Sequence, residues 1–124
     1  MNEIEKFRNK LSKELKSGVD SLLILCAIAS KRGPIHGYQI IRTIEKWSNG
    51  KIVLKDATVY PFLKYIRQRK LVIGYWAESP EGPPRYYYEL TDKGRKALEI
   101  GLKEWDDLVN DTNKIISNLE VMAI

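Results

Sequence analysis

The segments TVYPFLKYIRQ (residues 58–68), LVIGYWAE (71–78) and RYYYEL (85–90) decide the fold of this chain. Apolar residues at three- and four-residue spacing in the first segment predict an amphipathic helix. The other two segments are rich in β-branched and aromatic residues and flank the connection SPEGPP (79–84), so they predict a β-hairpin. Because this connection is too long for a two-residue turn, we expect it to project as a stiff, proline-rich loop.

The predicted helix of residues 58–68 has an apolar face for the core and a basic, aromatic face for solvent. The apolar face contains Val59, Phe62, Leu63 and Ile66. The outer face contains Ala57, Pro61, Lys64 and Gln68, with Tyr60 and Arg67 on one flank and Tyr65 on the other. Either Asp56 or Thr58 is suited to cap this helix. We expect Pro61 in or next to the first turn, because a proline further inside would clash and leave a carbonyl unpaired.

Two helices are predicted at the start of the chain. The first is amphipathic, with a basic back, and ends at Gly18; its apolar residues are Ile4, Phe7, Leu11 and Leu15. Ser17 and Asp20 have the spacing of a capping box, so we expect Ser17 to begin the second helix. The second helix is apolar nearly all round, which places it at the centre of the core, and residues 31–34 (KRGP) end it.

A third helix is predicted from Tyr38 to Trp47, with His36 at its start and a turn at residues 48–50 (SNG) at its end. Residues 52–54 (IVL) indicate a short extended piece. The segment from residue 20 to residue 90 therefore contains helix, helix, helix and ribbon, which is the order of a winged helix-turn-helix.

The last helix begins at Thr91 or Asp92 and continues to about Leu119. Apolar residues repeat in it every seven residues, as in a coiled coil. The stripe contains Leu98, Leu102, Trp105, Leu108, Val109, Ile115, Ile116 and Leu119. Its apolar face needs a partner, which we expect to be the first helix or the same helix of a second subunit.

We therefore predict a mostly α fold with a small β-hairpin. Residues 17–90 form a winged helix-turn-helix, and residues 1–16 and 91–124 form N- and C-terminal dimerisation helices. The order of elements alone does not settle the function, because winged helices also bind proteins.

The charge distribution favours a polyanionic partner. Residues 1–70 contain 15 basic and 6 acidic residues, whereas residues 71–124 contain 6 basic and 10 acidic residues, within a net charge of +5. A basic first part and an acidic second part of the sequence indicate two surfaces with different partners. Ordinary solvated charge is the simpler alternative.

Composition excludes several other classes of protein. A chain of 124 residues holds one domain, and its longest apolar stretch is too short to cross a membrane, so we expect a cytoplasmic protein with no membrane partner. One cysteine, Cys26, and one histidine, His36, are too few for a structural zinc site, so no metal and no cofactor are predicted. No nucleophile, paired carboxylates or glycine-rich phosphate loop accompanies His36, and an enzyme is not expected.

Five motifs in order resemble the PadR family of winged-helix transcriptional regulators. They are LLIL (22–25), GPIHGYQI (33–40), ATVYPFL (57–63), GPPRYYYELT (82–91) and DKGRKAL (92–98). The departures are small: Ala57 stands where the family often has Gly, Val59 where it has Leu, and Lys70 where a Gly commonly ends the helix. The resemblance covers nearly the whole chain and implies a non-enzymatic regulator that binds double-stranded DNA.

The helix of residues 58–68 and the wing carry the predicted DNA contacts. In a major groove, Lys64 can reach guanine or phosphate, Gln68 can pair with adenine, and Tyr60 can donate to phosphate. Gly82 lets the wing backbone approach the duplex, and Arg85 can reach phosphate or the minor groove. The predicted set is Thr58, Tyr60, Pro61, Lys64, Arg67, Gln68, Gly82 and Arg85. The alternatives are a solvated face for the helix and a purely structural role for Arg85.

Members of this family with one C-terminal helix resemble LmrR-type regulators, in which the first and last helices form the homodimer. The resemblance implies that Trp105 lines a ligand pore at the interface. In a dimer, two facing Trp105 indoles would form a flat apolar slot suited to a planar aromatic molecule. The acidic neighbours Glu104, Asp106 and Asp107 favour a cation weakly. The simpler interpretation is that Trp105 fills space between helices. The predicted interface contains Phe7, Leu11, Leu98, Leu102, Trp105, Val109 and Ile116.

The sequence therefore predicts a homodimeric repressor that binds a pseudo-palindromic operator and is released by a small aromatic effector. A winged-helix protein-interaction module without DNA binding is the main alternative. A protein whose main activity is small-molecule binding in the dimer cavity is a weaker one.

Overall fold

A computed structural model of the chain describes residues 1–80 and 82–122, with side chains described up to residue 119. The elements are α1 (Glu3–Ser17), α2 (Asp20–Ser30), β1 (Ile35–His36), α3 (Gly37–Trp47), α4 (Asp56–Gln68), β2 (Val72–Ser79), β3 (Gly82–Leu90) and α5 (Asp92–Met122). The mostly α fold with a small β-hairpin is confirmed, with α2, α3 and α4 followed by the wing of β2 and β3. The last two residues of the predicted C-terminal segment, 123–124, lie outside the described residues.

The core forms where α2, α3 and α4 meet the sheet. Ile24 of α2, Ile40 of α3 and Leu63 of α4 have no exposed surface. Burial of an aliphatic side chain of this size contributes about 1.5–3 kcal/mol to stability. The predicted inner face of α4 is confirmed, because Val59, Leu63 and Ile66 are buried and Phe62 packs against them.

The sheet has three antiparallel strands in the order β1–β3–β2, so the ribbon contains one strand more than predicted. Ile35 pairs with Tyr88 and His36 pairs with Tyr87. A two-residue strand is too short to show a periodic pattern, and only its tertiary partner β3 defines it.

The tip of the wing is tighter than predicted. Ser79 pairs with Gly82, so only residues 80–81 connect β2 to β3, and the expectation of a long projecting loop is wrong. Pro83 and Pro84 belong to β3 instead. Proline is tolerated there because β1 covers β3 only at Tyr87 and Tyr88, which leaves the tip half without a strand on that side. The ladder with β2 is irregular between Ala77 and Ser79, opposite these prolines. Glu81, part of the predicted loop, lies outside the described residues.

The prediction that Ser17 caps α2 is also wrong. Val19 is the N-cap residue and makes no side-chain bond to the helix. Ser17 instead ends α1, where its hydroxyl donates to the Glu14 carbonyl oxygen at 3.1 Å. The chain turns between the two helices through Gly18 and Val19, which removes Ser17 from the position that its spacing suggested. Residues 52–54 form no strand and lead directly into α4.

α4 begins at Asp56, the earlier of the two starts expected from the sequence, and contains Pro61 in its interior. Lys55 is the N-cap residue, and its carbonyl oxygen accepts hydrogen bonds from the Thr58 and Val59 amides at 2.9 and 3.0 Å. Neither Asp56 nor Thr58 caps the helix, and the prediction that Pro61 lies in or next to the first turn is wrong. Pro61 cannot donate to the Ala57 carbonyl, but Ala57 is exposed, so water can satisfy that oxygen.

α5 is anchored where α4 passes into β2. The Thr91 hydroxyl accepts from the Gly94 amide at 3.0 Å, as an N-cap does, and it lies 2.7 Å from the Lys70 carbonyl oxygen, to which it can donate. This confirms Thr91 as the cap. A Cβ at Gly94 would overlap the Leu71 carbonyl oxygen, so the absence of a side chain there permits this close approach.

Candidate nucleic-acid interface

The outer face of α4 is exposed to solvent. Thr58, Pro61, Lys64, Arg67 and Gln68 are all exposed. Their positions follow from the helical period, because the same turns direct the apolar residues of α4 inward. The structure therefore presents the predicted α4 residues on one outward surface.

Tyr60 is held against the start of α3 rather than projecting freely. Its ring and hydroxyl lie over Gly37, where a Cβ would come within 2.5 to 2.7 Å of them. Burial raises the pKa of the Tyr60 hydroxyl and Asp56 raises it further, whereas Arg85 opposes the shift. The hydroxyl thus stays protonated near neutral pH and can donate to an anion.

Arg85 connects the wing to α3. Its guanidinium lies 5.8 Å from the centre of the Tyr38 ring, within the range of a cation–π contact. Tyr38 is 53% exposed at the first turn of α3. Arg85, Tyr38 and Tyr60 therefore form one aromatic and cationic cluster where the wing, α3 and α4 meet.

Arg67 connects α4 to the wing. It donates to the Tyr86 hydroxyl at 2.9 Å, and its guanidinium lies 5.5 Å from the centre of the Tyr86 ring. Trp76 contacts the same ring edge-on at 5.5 Å and is 70% exposed. Gly82 is exposed at the far end of β3. The wing is thus attached to α4 on one side and to α3 on the other.

His36 has a structural role at the start of α3. Its Nδ1 accepts from the Gln39 amide at 3.3 Å, and the Gln39 side chain accepts from the His36 amide at 3.1 Å, which completes a capping box. Its ring is buried edge-on against Tyr87. This confirms the interpretation of His36 as a helix-start residue.

The predicted dimer residues lie mostly on uncovered apolar surface. α1 buries no residue, and Phe7 is 61% exposed. On α5, Leu102, Trp105 and Ile116 are exposed to a similar degree. Leu98 differs, because it packs against the core of its own chain. The remaining predicted residues, Leu11 and Val109, are respectively exposed and half-buried.

Trp105 lies between two grooves beside the junction of α1 and α2. One groove, of about 390 Å³, runs between α2 and α5 and includes Leu22, Gly101 and Glu104. The other, also about 390 Å³, includes Leu15, Val109 and Thr112. Of the three acidic residues near Trp105, Asp107 is paired with Lys103 at 2.9 Å, and Glu104 lines the first groove.

A sequence model of the transcriptional regulator PadR-like family matches residues 24–100, which is more than half of the chain. The chain belongs to the PadR-like family of transcriptional regulators. Members of this family act by binding DNA and not by catalysis. The winged helix of this PadR-like regulator is therefore a DNA-binding domain.

Relatives of this PadR-like regulator are similar over nearly their whole length. A PadR family transcriptional regulator from Eggerthella lenta has the same fold, with a TM-score of 0.77 and 23% identity over 94% of each chain. A PadR-like transcriptional regulator from Bacillus cereus is 27% identical with a TM-score of 0.67, covering 83% of this chain and 96% of that chain. An uncharacterised Lysinibacillus sphaericus protein is 24% identical over 106 residues, or 86% of this chain and 94% of the relative.

The described residues contain neither a membrane-spanning helix nor a cluster of metal ligands. None of the helices in residues 1–80 and 82–122 combines the length and apolar character of a membrane span. No three His, Cys, Asp or Glu side chains of the described part of this PadR-like regulator are grouped to hold a metal ion.

Sequence reasoning missed two residues of the surface around α4. Tyr38 lies under Arg85, and Gly37 provides the space for Tyr60. Both belong to the GPIHGYQI motif, but the motif gives no signal for these contacts, because their partners lie more than 20 residues away in sequence.

Proposed function

We propose that this chain is a homodimeric repressor that binds a pseudo-palindromic operator, with one α4 in each of two successive major grooves. The exposed basic face of α4, beside a wing that contacts both α4 and α3, is the observation that carries the proposal. An α-helix fits the major groove, and a wing beside it reaches the adjacent backbone or minor groove.

Homodimerisation through α1 and α5 follows from their apolar surface. Exposed apolar stripes on two long helices promote aggregation of a monomer, and such stripes are usually buried in a subunit interface. In a two-fold dimer, the two α4 helices would bind half-sites roughly 34 Å apart, one turn of the duplex. The operator would therefore be a pseudo-palindrome.

Lys64 gives the sharpest test of DNA recognition. Selection of bound fragments from random duplexes should first yield an operator. If Lys64 reads a base, Lys64→Ala should then weaken operator binding by about 1–3 kcal/mol and relax sequence choice at one position. A phosphate contact would instead lower the affinity for all duplexes evenly. The measurement is a binding isotherm at several salt concentrations.

Arg85→Ala, on the wing, should weaken binding to every sequence, because a phosphate or minor-groove contact carries little base information. Lys96→Ala, on the exposed side of α5, is a control with the same charge change. If neither Lys64→Ala nor Arg85→Ala differs from this control, the outer face of α4 and the wing do not bind DNA.

We further propose that an effector binds beside Trp105 at the dimer axis. In a symmetric dimer, two Trp105 side chains can approach each other and form a flat apolar slot. Stacking and cation–π attraction each contribute about 1 kcal/mol when desolvated, so the slot suits a planar aromatic cation. The two grooves next to Trp105, and Glu104 in the wall of the groove between α2 and α5, support this choice. To release DNA, the effector must prefer one relative orientation of the two α4 helices.

The effector proposal is tested by titrating a planar aromatic cation such as proflavine without DNA and following tryptophan fluorescence. Quenching should occur in the native protein and disappear in Trp105→Ala. Trp47→Phe and Trp76→Phe serve as controls, because the other two tryptophans of the chain lie on α3 and β2. Equal quenching in Trp105→Ala would leave Trp105 as a packing residue.

A further inference from the structure

We propose that a groove of four lysines beside α4, here called the lysine groove, binds phosphates of the DNA backbone. The groove has a volume of about 500 Å³. Lys13 and Lys16 of α1 line one side, and Lys51 and Lys55 line the other side, directly before α4. The inference rests on the proposed function, since it extends a DNA surface centred on α4, and it gives α1 a second role besides dimerisation.

The lysines of the groove are available for an external anion. All four are exposed, and within residues 1–80 and 82–119 none of them forms an ion pair. The lysines elsewhere on α1 behave differently. Lys6 is paired with Glu3 at 3.3 Å, and Lys10 is paired with Glu14 at 2.6 Å. Two of the four lysines of α1 are thus paired within the helix, whereas the two that line the groove are not.

The balance of charge in the groove selects a polyanion. Asp20 is the one acidic residue among the described residues that line it, against four lysines. Lysine ammonium groups bind phosphate as point charges and need no fixed geometry, which suits long side chains on two separate segments. Duplex DNA carries one negative charge per roughly 1.7 Å of axis, so its backbone can contact several of these lysines at once.

The position of the groove favours DNA over an acidic protein. Thr58, on the exposed face of α4, also lines the groove, so the groove continues the surface predicted to bind DNA without a break. A duplex seated on α4 would pass its backbone along the N-terminal end of that helix. Lys55, the N-cap residue of α4, lies at this end.

The experiment measures the salt dependence of binding to a mixed-sequence duplex of about 30 base pairs, roughly three helical turns. Two double variants are compared with the native dimer: Lys13→Gln with Lys16→Gln, and Lys51→Gln with Lys55→Gln. Each lost phosphate contact lowers the slope of log affinity against log salt by about 0.9, so each pair should lower it by about 1.8. At 0.1 M salt the affinity should fall about tenfold to a hundredfold.

The matched control is Lys6→Gln with Lys10→Gln, which makes the same change of charge on the same helix outside the groove. It should leave the slope nearly unchanged. Sedimentation of each variant checks that the dimer persists, and the pair on residues 51 and 55 keeps the test valid if changes on α1 disturb the dimer. The ratio of operator to mixed-sequence affinity should not change in any variant, because phosphate contacts carry little sequence information.

The proposal is overturned if both groove variants keep the native slope, or if the control lowers the slope as much as they do. It is also overturned if the groove lysines prove to bind poly-glutamate in preference to the duplex, which would indicate an acidic protein partner. Failure of the proposed function is recognised separately, because the native protein itself would then show no salt-dependent affinity for any duplex.

Discussion

Lys70 ends α4 in a strained backbone conformation. Its backbone is left-handed, with φ of 62°, at the end of α4. The Lys70 amide donates to Arg67 and the Leu71 amide donates to Ile66, which is the bonding pattern of a Schellman motif. Glycine usually occupies this position because a Cβ disfavours the left-handed region. Lysine in place of the glycine that is common in the family therefore keeps the same type of helix end but makes it strained.

We predict that Lys70→Gly stabilises the protein. Relief of the left-handed conformation should gain about 1–2 kcal/mol, of which the greater freedom of glycine in the unfolded chain removes about 0.5–1 kcal/mol. The net gain of about 0.5–1 kcal/mol can be measured by urea unfolding.

Lys96→Gly is the control for this prediction, because Lys96 is an exposed lysine inside the regular helix α5. It should lose about 0.5–1 kcal/mol. A loss of stability in Lys70→Gly equal to that of the control would show that the left-handed backbone stores no strain.

At the scale of elements, α4 combines a well-packed inner face with an irregular outer face. Val59, Leu63 and Ile66 hold the helix to the core, and this packing compensates for the hydrogen bond that Pro61 cannot make. A helix stabilised by tertiary contacts can therefore contain a proline that an isolated helix would not tolerate. On the outer face, the rigid ring of Pro61 is exposed at the surface where the duplex is expected to bind.

We predict that Pro61→Ala separates stability from DNA binding. Alanine restores the amide that can donate to the Ala57 carbonyl, and it has a better helix propensity, so the free energy of unfolding should rise by about 1–2 kcal/mol. If Pro61 contacts the duplex, the affinity for DNA should fall in the same variant. Urea unfolding and a binding isotherm measure the two effects.

Gln68→Ala, near the exposed C-terminal end of α4, is the control for stability, because surface substitutions of this kind usually change it by less than about 0.5 kcal/mol. A destabilised Pro61→Ala protein would mean that the proline is required by the packing of α4 rather than merely tolerated.

At the scale of the whole molecule, much of the apolar surface that the structure describes on the two terminal helices is left uncovered. Ile4 and Phe7 of α1, and Leu108 and Ile115 of α5, are each more than half exposed. The globular part of the chain is complete without these surfaces, because its core closes around α2, α3, α4 and the sheet. Uncovered apolar surface of this kind is typical of a subunit interface.

We predict that the full chain sediments as a dimer at micromolar concentration and that Leu102→Lys with Ile116→Lys gives a monomer. Each substitution removes about 1.5–3 kcal/mol of apolar burial and places a charge in the interface. Asn110→Lys, an exposed polar position on α5 outside the apolar stripe, is the control and should remain dimeric. Unchanged sedimentation of the double variant would place the interface elsewhere.

The sequence by itself determined the helices, the wing strands and the buried face of α4, and it limited the cap of α5 to Thr91 or Asp92. These features depend on periodicity and short-range hydrogen bonding, which residues close in sequence specify. The order of the motifs was also sufficient to indicate the family, since several motifs in succession match far less often by chance than one does.

Only the tertiary structure decided the features that depend on residues far apart in sequence. The strand β1 exists because β3 lies beside it, and Pro61 fits inside α4 because the core holds that helix. The two-residue tip of the wing depends on how β3 pairs with β2 rather than on the composition of the connection. The lysine groove combines α1 with the segment before α4, which are separated by two helices and a strand in sequence. A periodic pattern within one segment does not predict such a contact, because the two elements are far apart in sequence and meet only after the chain has folded.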